Sequence, residues 1–344
     1  MFDRILGNDA AKTSLTRMID SGRLPNSLLF TGHEGVGKRE FALEVARALV
    51  CTSTVDGQGC GKCSACERVV KFEIPKPEKK DDFKQVFFSG HPDVGTVVAY
   101  NRNILVDAIR ALEQEANFRP FEAKARLFLI DDADKMNDAA SNALLKTLEE
   151  PPSTTYIILV TSKPEALLQT IHSRCQVVRF APLTVDSVEA FLLNDKSYAA
   201  ADASLAARMS KGSIGTAIGL DIEKLRNSRD SMLDLVESGL GRRDIPSVLR
   251  ASELINDAKN KDDFELNLEI FETLLRDSWL LSQGLETESL ANPDVAERLN
   301  AVARSSSLGQ IESLLAGVEE LRQSLEVNIN RKVATDALFA KMAA

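Results

Sequence analysis

Over its first half the chain alternates short apolar runs with stretches of helical periodicity. Ser27-Leu28-Leu29-Phe30 is an apolar run that ends at Thr31-Gly32, the pattern of a buried strand entering a glycine turn. From Lys38 to Leu49 the period becomes helical, with Phe41, Val45, Ala48 and Leu49 on one face. Val94 to Ala99 predicts a strand, and Asp107 to Ala116 a helix that starts from Ile104–Val106. Arg126 to Ile130 is a further apolar run, closed by Asp131-Asp132. Ala139 to Glu150 predicts a helix stopped by Pro151-Pro152, because proline cannot continue the hydrogen-bond ladder. Tyr156–Val160 and Gln176–Phe180 predict two more buried strands. Apolar strands alternating with helices imply an α/β domain whose parallel sheet is covered on both faces. Between them, residues 71–88 hold Pro75, Pro77 and a charged run from Glu78 to Asp82, which predicts a surface insertion.

After Pro182 the strand signal stops. Residues 183–221 read as short helices with glycines at 212, 215 and 219, and 222–344 as amphipathic helix throughout, holding the only tryptophan, Trp279. The expected layout is therefore an α/β domain over 1–182, a small helical domain over 183–221 and an all-helical domain over 222–344.

A length of 344 residues fits two or three domains, and 44% hydrophobic with 27% charged residues is ordinary for a globular chain. No apolar run reaches the roughly 18 residues that span a bilayer. The start, Met1-Phe2-Asp3-Arg4, lacks a basic segment followed by an apolar core, so no secretory signal is expected and the cytoplasm is the expected compartment. The net charge of −9 makes a poor stand-alone DNA binder, since phosphate neutralisation dominates nucleic-acid affinity. Protein partners are favoured, with any DNA contact local, and no membrane is expected.

Gly32-His33-Glu34-Gly35-Val36-Gly37-Lys38 fits G-x-x-x-x-G-K between a strand and a helix. Backbone N–H groups of such a loop cradle phosphates, and the lysine reaches the terminal ones. The motif fails at its last position, where a Ser or Thr hydroxyl would hold Mg²⁺ and this chain has Arg39. A guanidinium has no acceptor for a cation. The acids at the strand end are Asp131-Asp132 where an active site usually carries Asp-Glu, one methylene longer, and a displacement of about 1 Å can cost about 10²-fold in rate. Hydrolysis is not expected; ATP binding is expected to be weak or absent. The alternative for Lys38 and Asp131 is a purely structural role at a helix start and a core edge.

Cys51, Cys60, Cys63 and Cys66 are spaced C-x8-C-x2-C-x2-C, and in a reducing compartment the cluster reads as a metal site before it reads as disulfides. Four thiolates close a tetrahedral Zn²⁺ and leave no open position, so the zinc would be structural. Gly57, Gly59 and Gly61 permit the tight turns that converging ligands need. An iron–sulfur cluster and free thiols stay open as alternatives. Cys175 stands apart and is not a candidate ligand.

Ser173-Arg174-Cys175 falls on a turn between a helix ending near His172 and the strand Gln176–Phe180. An arginine so placed is either a solvated surface charge or a finger offered to a neighbour's γ-phosphate. Gly212-Ser213-Ile214-Gly215 opens a helix, with turn glycines as the plain reading.

Taken together, these residues resemble bacterial clamp loader subunits of the AAA+ class. The resemblance is carried by the run Asn142–Pro152 (N-A-L-L-K-T-L-E-E-P-P), by Thr170-Ile171-His172-Ser173-Arg174-Cys175, and by Leu24-Pro25 with Leu28-Leu29-Phe30. His91-Pro92-Asp93, Ile104–Arg110, Asp132–Asn137 and Asn328-Ile329-Asn330-Arg331-Lys332 point, with the degraded phosphate loop, to the rigid, ring-completing member. It is dense over 1–182 and thin in the helical remainder.

The resemblance implies a P-loop AAA+ domain, a lid and a C-terminal collar. It implies a hetero-pentameric ring with gamma/tau motor and delta subunits that loads a sliding clamp on primed DNA. Arg174 would be a finger in trans. Gly32, Gly35, Gly37, Lys38, Asp131 and Thr161 (or Ser162 as first sensor) would be the degenerate nucleotide site. Active relatives carry an arginine at the position of Gly215. Cys51, Cys60, Cys63 and Cys66 match the family's zinc ligands. Any enzyme activity would belong to the polymerase complex. The rival readings are an ATP-hydrolysing motor subunit, and a zinc-dependent DNA-binding or repair protein.

Overall fold

The structure, a computed structural model, describes residues 2–54, 58–256, 263–326 and 330–342; Gly57, Asn328 and Ile329 lie outside the described residues. Two compact units are present: Met1–Phe191 with Lys211–Thr216, and Leu192–Ser210 with Ala217–Ala344.

The first unit is built on a six-stranded sheet: β1 (Ser27–Thr31), β2 (Phe87–Phe88), β3 (Val94–Val97), β4 (Arg126–Ile130), β5 (Thr155–Thr161) and β6 (Gln176–Arg179), in the order β2-β3-β4-β5-β1-β6. All neighbours are parallel except the edge strand β2, which runs antiparallel to β3. Side chains alternate between two cores, as the two-residue period of a strand requires. Leu28, Phe30, Leu127, Leu129, Ile158 and Val160 enter one, under α1 (Asp9–Asp20) and α2 (Lys38–Val50). Leu29, Phe128, Ile130, Ile157 and Leu159 enter the other, under α4 (Val106–Ala116) and α5 (Asp138–Glu149). Burial on both faces is why these strands are apolar throughout.

The segment 71–88 departs from the expected surface insertion. Its first part is exposed, but a short 3₁₀ turn at Lys80–Phe83 leads into β2, and Phe83, Val86 and Phe87 are buried. The Phe83 ring meets Phe87 edge-on at 5.6 Å and Tyr100 at 5.5 Å. The prolines and charges upstream mask an apolar spacing that closes the sheet edge.

Between β1 and β4 the chain also forms α3 (Ser64–Arg68), and α6 (Gln169–His172) precedes β6. Beyond β6 come α7 (Val185–Asp195), α8 (Ala200–Met209) and α9 (Ile214–Gly219). The second unit continues with α10 (Ile222–Val236), a π-helical turn at Glu237–Gly241, α11 (Ile245–Asn256), α12 (Phe264–Ser282), α13 (Ala296–Ser305), α14 (Leu308–Glu326) and α15 (Arg331–Ala340). Phe271 on α12 and Phe339 on α15 pack edge to face at 5.2 Å within one continuous core. No helix among the described residues is long and apolar enough to cross a membrane.

Candidate functional site

The phosphate loop leaves the C-terminal end of β1, a strand between β5 and β6, and Gly37 caps α2. Gly35 has φ +70°, and a Cβ there would meet the Ser213 side chain and stand 3.3 Å from the Thr216 nitrogen. Gly215 N donates to Gly35 O at 3.2 Å, so the start of α9 rests on the loop through backbone alone. Gly32 opens the loop against Phe180.

The Lys38 ammonium donates to the carbonyls of Gly32 (2.6 Å) and His33 (2.5 Å). Burial lowers its pKa, while Glu34, Asp131, Asp132 and Asp134 act to raise it.

Arg39 turns toward the strand-end acid, with Nη1 3.4 Å from Asp131 Oδ2 and the guanidinium 5.7 Å from the centre of the Phe72 ring. Burial raises the Asp131 pKa, and Arg39 is the main charge opposing that. A carboxylate already paired with a fixed cation is a poor ligand for a second one. Asp132 takes φ +51° and its carboxylate accepts from Lys135 Nζ at 2.8 Å.

The structure thus brings Lys38, Arg39 and Asp131 together, and the glycines where the motif placed them. Thr161 ends β5 beside β1, but its hydroxyl donates to Asp134 Oδ1 at 2.6 Å and accepts from Lys163 N at 3.0 Å. Asp134 is not among the candidate site residues; its sequence signals are its place in the family-like run Asp132–Asn137 and in the acid-rich stretch 131–134.

The four cysteines converge. Their sulfurs all lie within 4.8 Å of one another, with Cys51 and Cys63 3.9 Å apart. A tetrahedral metal with M–S bonds of about 2.3 Å has S–S edges of about 3.8 Å, so the spacing suits a single ion. Backbone N–H groups already point at the sulfurs: Cys60 N to Cys51 Sγ and Cys63 N to Cys60 Sγ, each 3.3 Å. Hydrogen bonding from the Cys66 backbone pushes the Cys63 thiol down to about 5, and the Lys62 backbone lowers Cys60. Burial raises Cys66.

Gly59 is required by close approach: a Cβ there would come 2.8 Å from the backbone carbon of Arg47 on α2. Arg47 Nε donates to Cys66 O at 3.2 Å, tying the cluster to the same helix that follows the phosphate loop. Cys175 is buried in the other core of this unit and its thiol is pushed up to about 12 by burial, as a packing residue would be.

The turn at 173–175 assigns each residue a different task. Cys175 anchors in the core, Ser173 Oγ donates to Thr170 O at 3.0 Å, and Arg174 projects outward, 29% exposed. Its guanidinium is paired with Glu149 at the end of α5.

The sheet order, the loop at the end of β1, the acids at the end of β4 and the outward arginine define a P-loop α/β chain of AAA+ architecture. The family profile described as DNA polymerase III, delta subunit, matches residues 7–184. The chain belongs to this family, that of the DNA polymerase III clamp loader. It is 27% identical to DNA polymerase III subunit delta′ of Bacillus subtilis over 92% of this chain and 90% of that relative. It is 29% identical to DNA polymerase III subunit delta′ of Escherichia coli over 94% of this chain and 91% of that relative. A subunit gamma/tau of Mycobacterium bovis is 30% identical over 56% of this chain and 30% of its own length.

Proposed function

We propose that this chain is the non-hydrolysing, ring-completing subunit of a clamp loader, and that it presents Arg174 to the ATP site of a neighbouring subunit. One observation carries the reading: Arg39 stands where a magnesium-binding hydroxyl belongs and is directed onto Asp131 at 3.4 Å. A site without a cation to bridge the phosphates lacks the charge that phosphoryl transfer requires. The turn of Asp132 toward Lys135 and the absence of an arginine at Gly215 agree with it. Arg174, by contrast, is a partly exposed cation on a turn pinned by Cys175, which suits donation in trans.

In this reading gamma/tau and delta subunits complete a hetero-pentameric ring in the cytoplasm, and the assembly places a sliding clamp on primed DNA. Residues 1–182, 183–221 and 222–344 serve as AAA+ module, lid and collar. The four cysteines hold a structural zinc, which when bound cross-links the chain around residues 51–66; the sulfur spacing suits one ion better than a multi-iron cluster. Lys38, Gly32, Gly35, Gly37, Asp131 and Thr161 form the degenerate nucleotide site, with ATP bound weakly or not at all.

The test is steady-state ATP hydrolysis by the isolated chain and by the reconstituted complex. The isolated chain is expected to be silent. Arg174→Ala is expected to slow the one site it serves by about 10³-fold or more, so total turnover falls by that site's share. Brisk hydrolysis by the lone chain would favour a motor subunit, and unchanged complex turnover with Arg174→Ala would remove the finger.

A further inference from the structure

Arg174 is not a free surface charge. Nε donates to Glu149 Oε1 at 2.8 Å, and Nη2 reaches the same oxygen. Nη1 donates to Thr170 O at 2.9 Å and lies 3.3 Å from Ser173 Oγ. The guanidinium has five N–H donors, and these four contacts leave one N–H, on Nη2, directed elsewhere. The edge that carries Nε is held by the carboxylate, so the head cannot rotate freely about its long stem.

The position of Glu149 follows from the sequence. Helix α5 must stop before Pro151-Pro152, so Glu149 is its last residue, beside a C-terminus whose unpaired carbonyls also attract a cation. Both groups are partly exposed, at 29% for Arg174 and 49% for Glu149, so the pair adds little to stability. A contact of low structural value, with charge-assisted bonds from a fixed helix end, is well suited to orientation. A long, flexible arginine side chain otherwise loses rotamer entropy at the moment it is fixed.

We infer that Glu149 is the positioning residue for Arg174: it fixes the guanidinium in advance, so that the remaining N–H of Nη2 meets a phosphate oxygen of the neighbouring subunit's nucleotide. The inference rests on the finger role proposed above. It gives the acid in the run Leu148-Glu149-Glu150-Pro151-Pro152 a task of its own, in which Glu149 and not Glu150 contacts the arginine. A misplacement of about 1 Å at a reacting centre can cost about 10²-fold, which sets the scale of the effect.

The experiment is single-turnover ATP hydrolysis in the reconstituted complex carrying Arg174→Ala, Glu149→Ala or Glu149→Gln in this chain alone. Glu149→Ala is expected to slow hydrolysis at the served site by about 10- to 100-fold while the KM for ATP stays unchanged. Glu149→Gln, which keeps an acceptor oxygen for Nε, is expected to recover most of the rate. The melting temperature of each variant is expected to match the parent, which separates orientation from folding. If Arg174→Ala slows the site and Glu149→Ala does not, Glu149 does not position the arginine. Acceleration by Glu149→Ala would make the pair a brake and overturn the inference. No effect of Arg174→Ala would remove the finger role and this inference with it.

Discussion

Asp93 is wholly buried, and its two oxygens accept three backbone N–H groups: Phe121 at 2.7 Å, Glu122 at 2.8 Å and Ala123 at 2.9 Å. Arg126 Nε approaches the same carboxylate at 3.7 Å, and the guanidinium lies 5.1–5.5 Å from the ring centres of Phe88, Phe121 and Phe128. Its Nη1 and Nη2 reach Glu115 O at 2.5 Å and Glu115 Oε2 at 3.1 Å. The acid in His91-Pro92-Asp93 therefore fastens the turn before β4 and neutralises a buried arginine. Asp93→Ala leaves three backbone N–H groups without their acceptor and Arg126 with Glu115 as its carboxylate partner; at about 1–3 kcal/mol for each buried group left unpaired, the loss is about 3–5 kcal/mol. A drop of that size is expected in denaturant unfolding of the purified chain, with Asp93→Asn, which keeps one acceptor oxygen, losing less. A midpoint shift equivalent to under about 1 kcal/mol would show that the pair is only a surface-grade contact. From the sequence, His91-Pro92-Asp93 was visible only as a family mark; the partners of Asp93 are 28–33 residues away, beyond any local pattern.

At the scale of elements, the central strands were readable because burial on both faces makes them apolar from end to end. β2 was not, since two residues beside a charged run leave no period to detect. The π-helical turn after α10 was equally hidden: nothing in Glu237-Ser238-Gly239-Leu240-Gly241 interrupts helical spacing. That turn has its own tie, in which Arg298 on α13 donates from Nε to Glu237 Oε1 at 2.6 Å and from Nη2 to Asp234 at 2.9 Å. The hydrogen bond from Arg298 lowers the Glu237 pKa below its ordinary 4.5. A depressed carboxylate pKa contributes stability that is present above the unfolded-state value and lost as pH falls through the folded one. Glu237→Gln is thus expected to cost up to about 1 kcal/mol near neutral pH, since the pair is partly exposed. The gap from the parent should close as pH drops below 4.5. Urea titrations of both chains at pH 7 and pH 3.5 measure it; a gap that persists unchanged in acid would show that the contact is not the cause.

At the scale of the whole molecule, the proposed reading is of a subunit that supports chemistry it does not perform: four sulfurs within 4.8 Å of one another to hold a metal, and Arg174 to serve a neighbour. Elemental analysis is expected to find one zinc in the parent and in Cys175→Ala, and none in Cys63→Ala, with the latter also melting at lower temperature. Zinc retained by Cys63→Ala would show that the four sulfurs do not form a closed site. The sequence by itself determined the α/β class, the places of the central buried strands along the chain, the defect at Arg39 and the four converging cysteines. Each of these is written in residue type at short spacing, where backbone geometry leaves few choices. Tertiary structure alone decided which groups face each other across long separations: Arg39 with Asp131, Thr161 with Asp134, Asp93 with Arg126 and Arg174 with Glu149. Side-chain partners so far apart in the chain are chosen by sheet order and helix length, which no local spacing encodes.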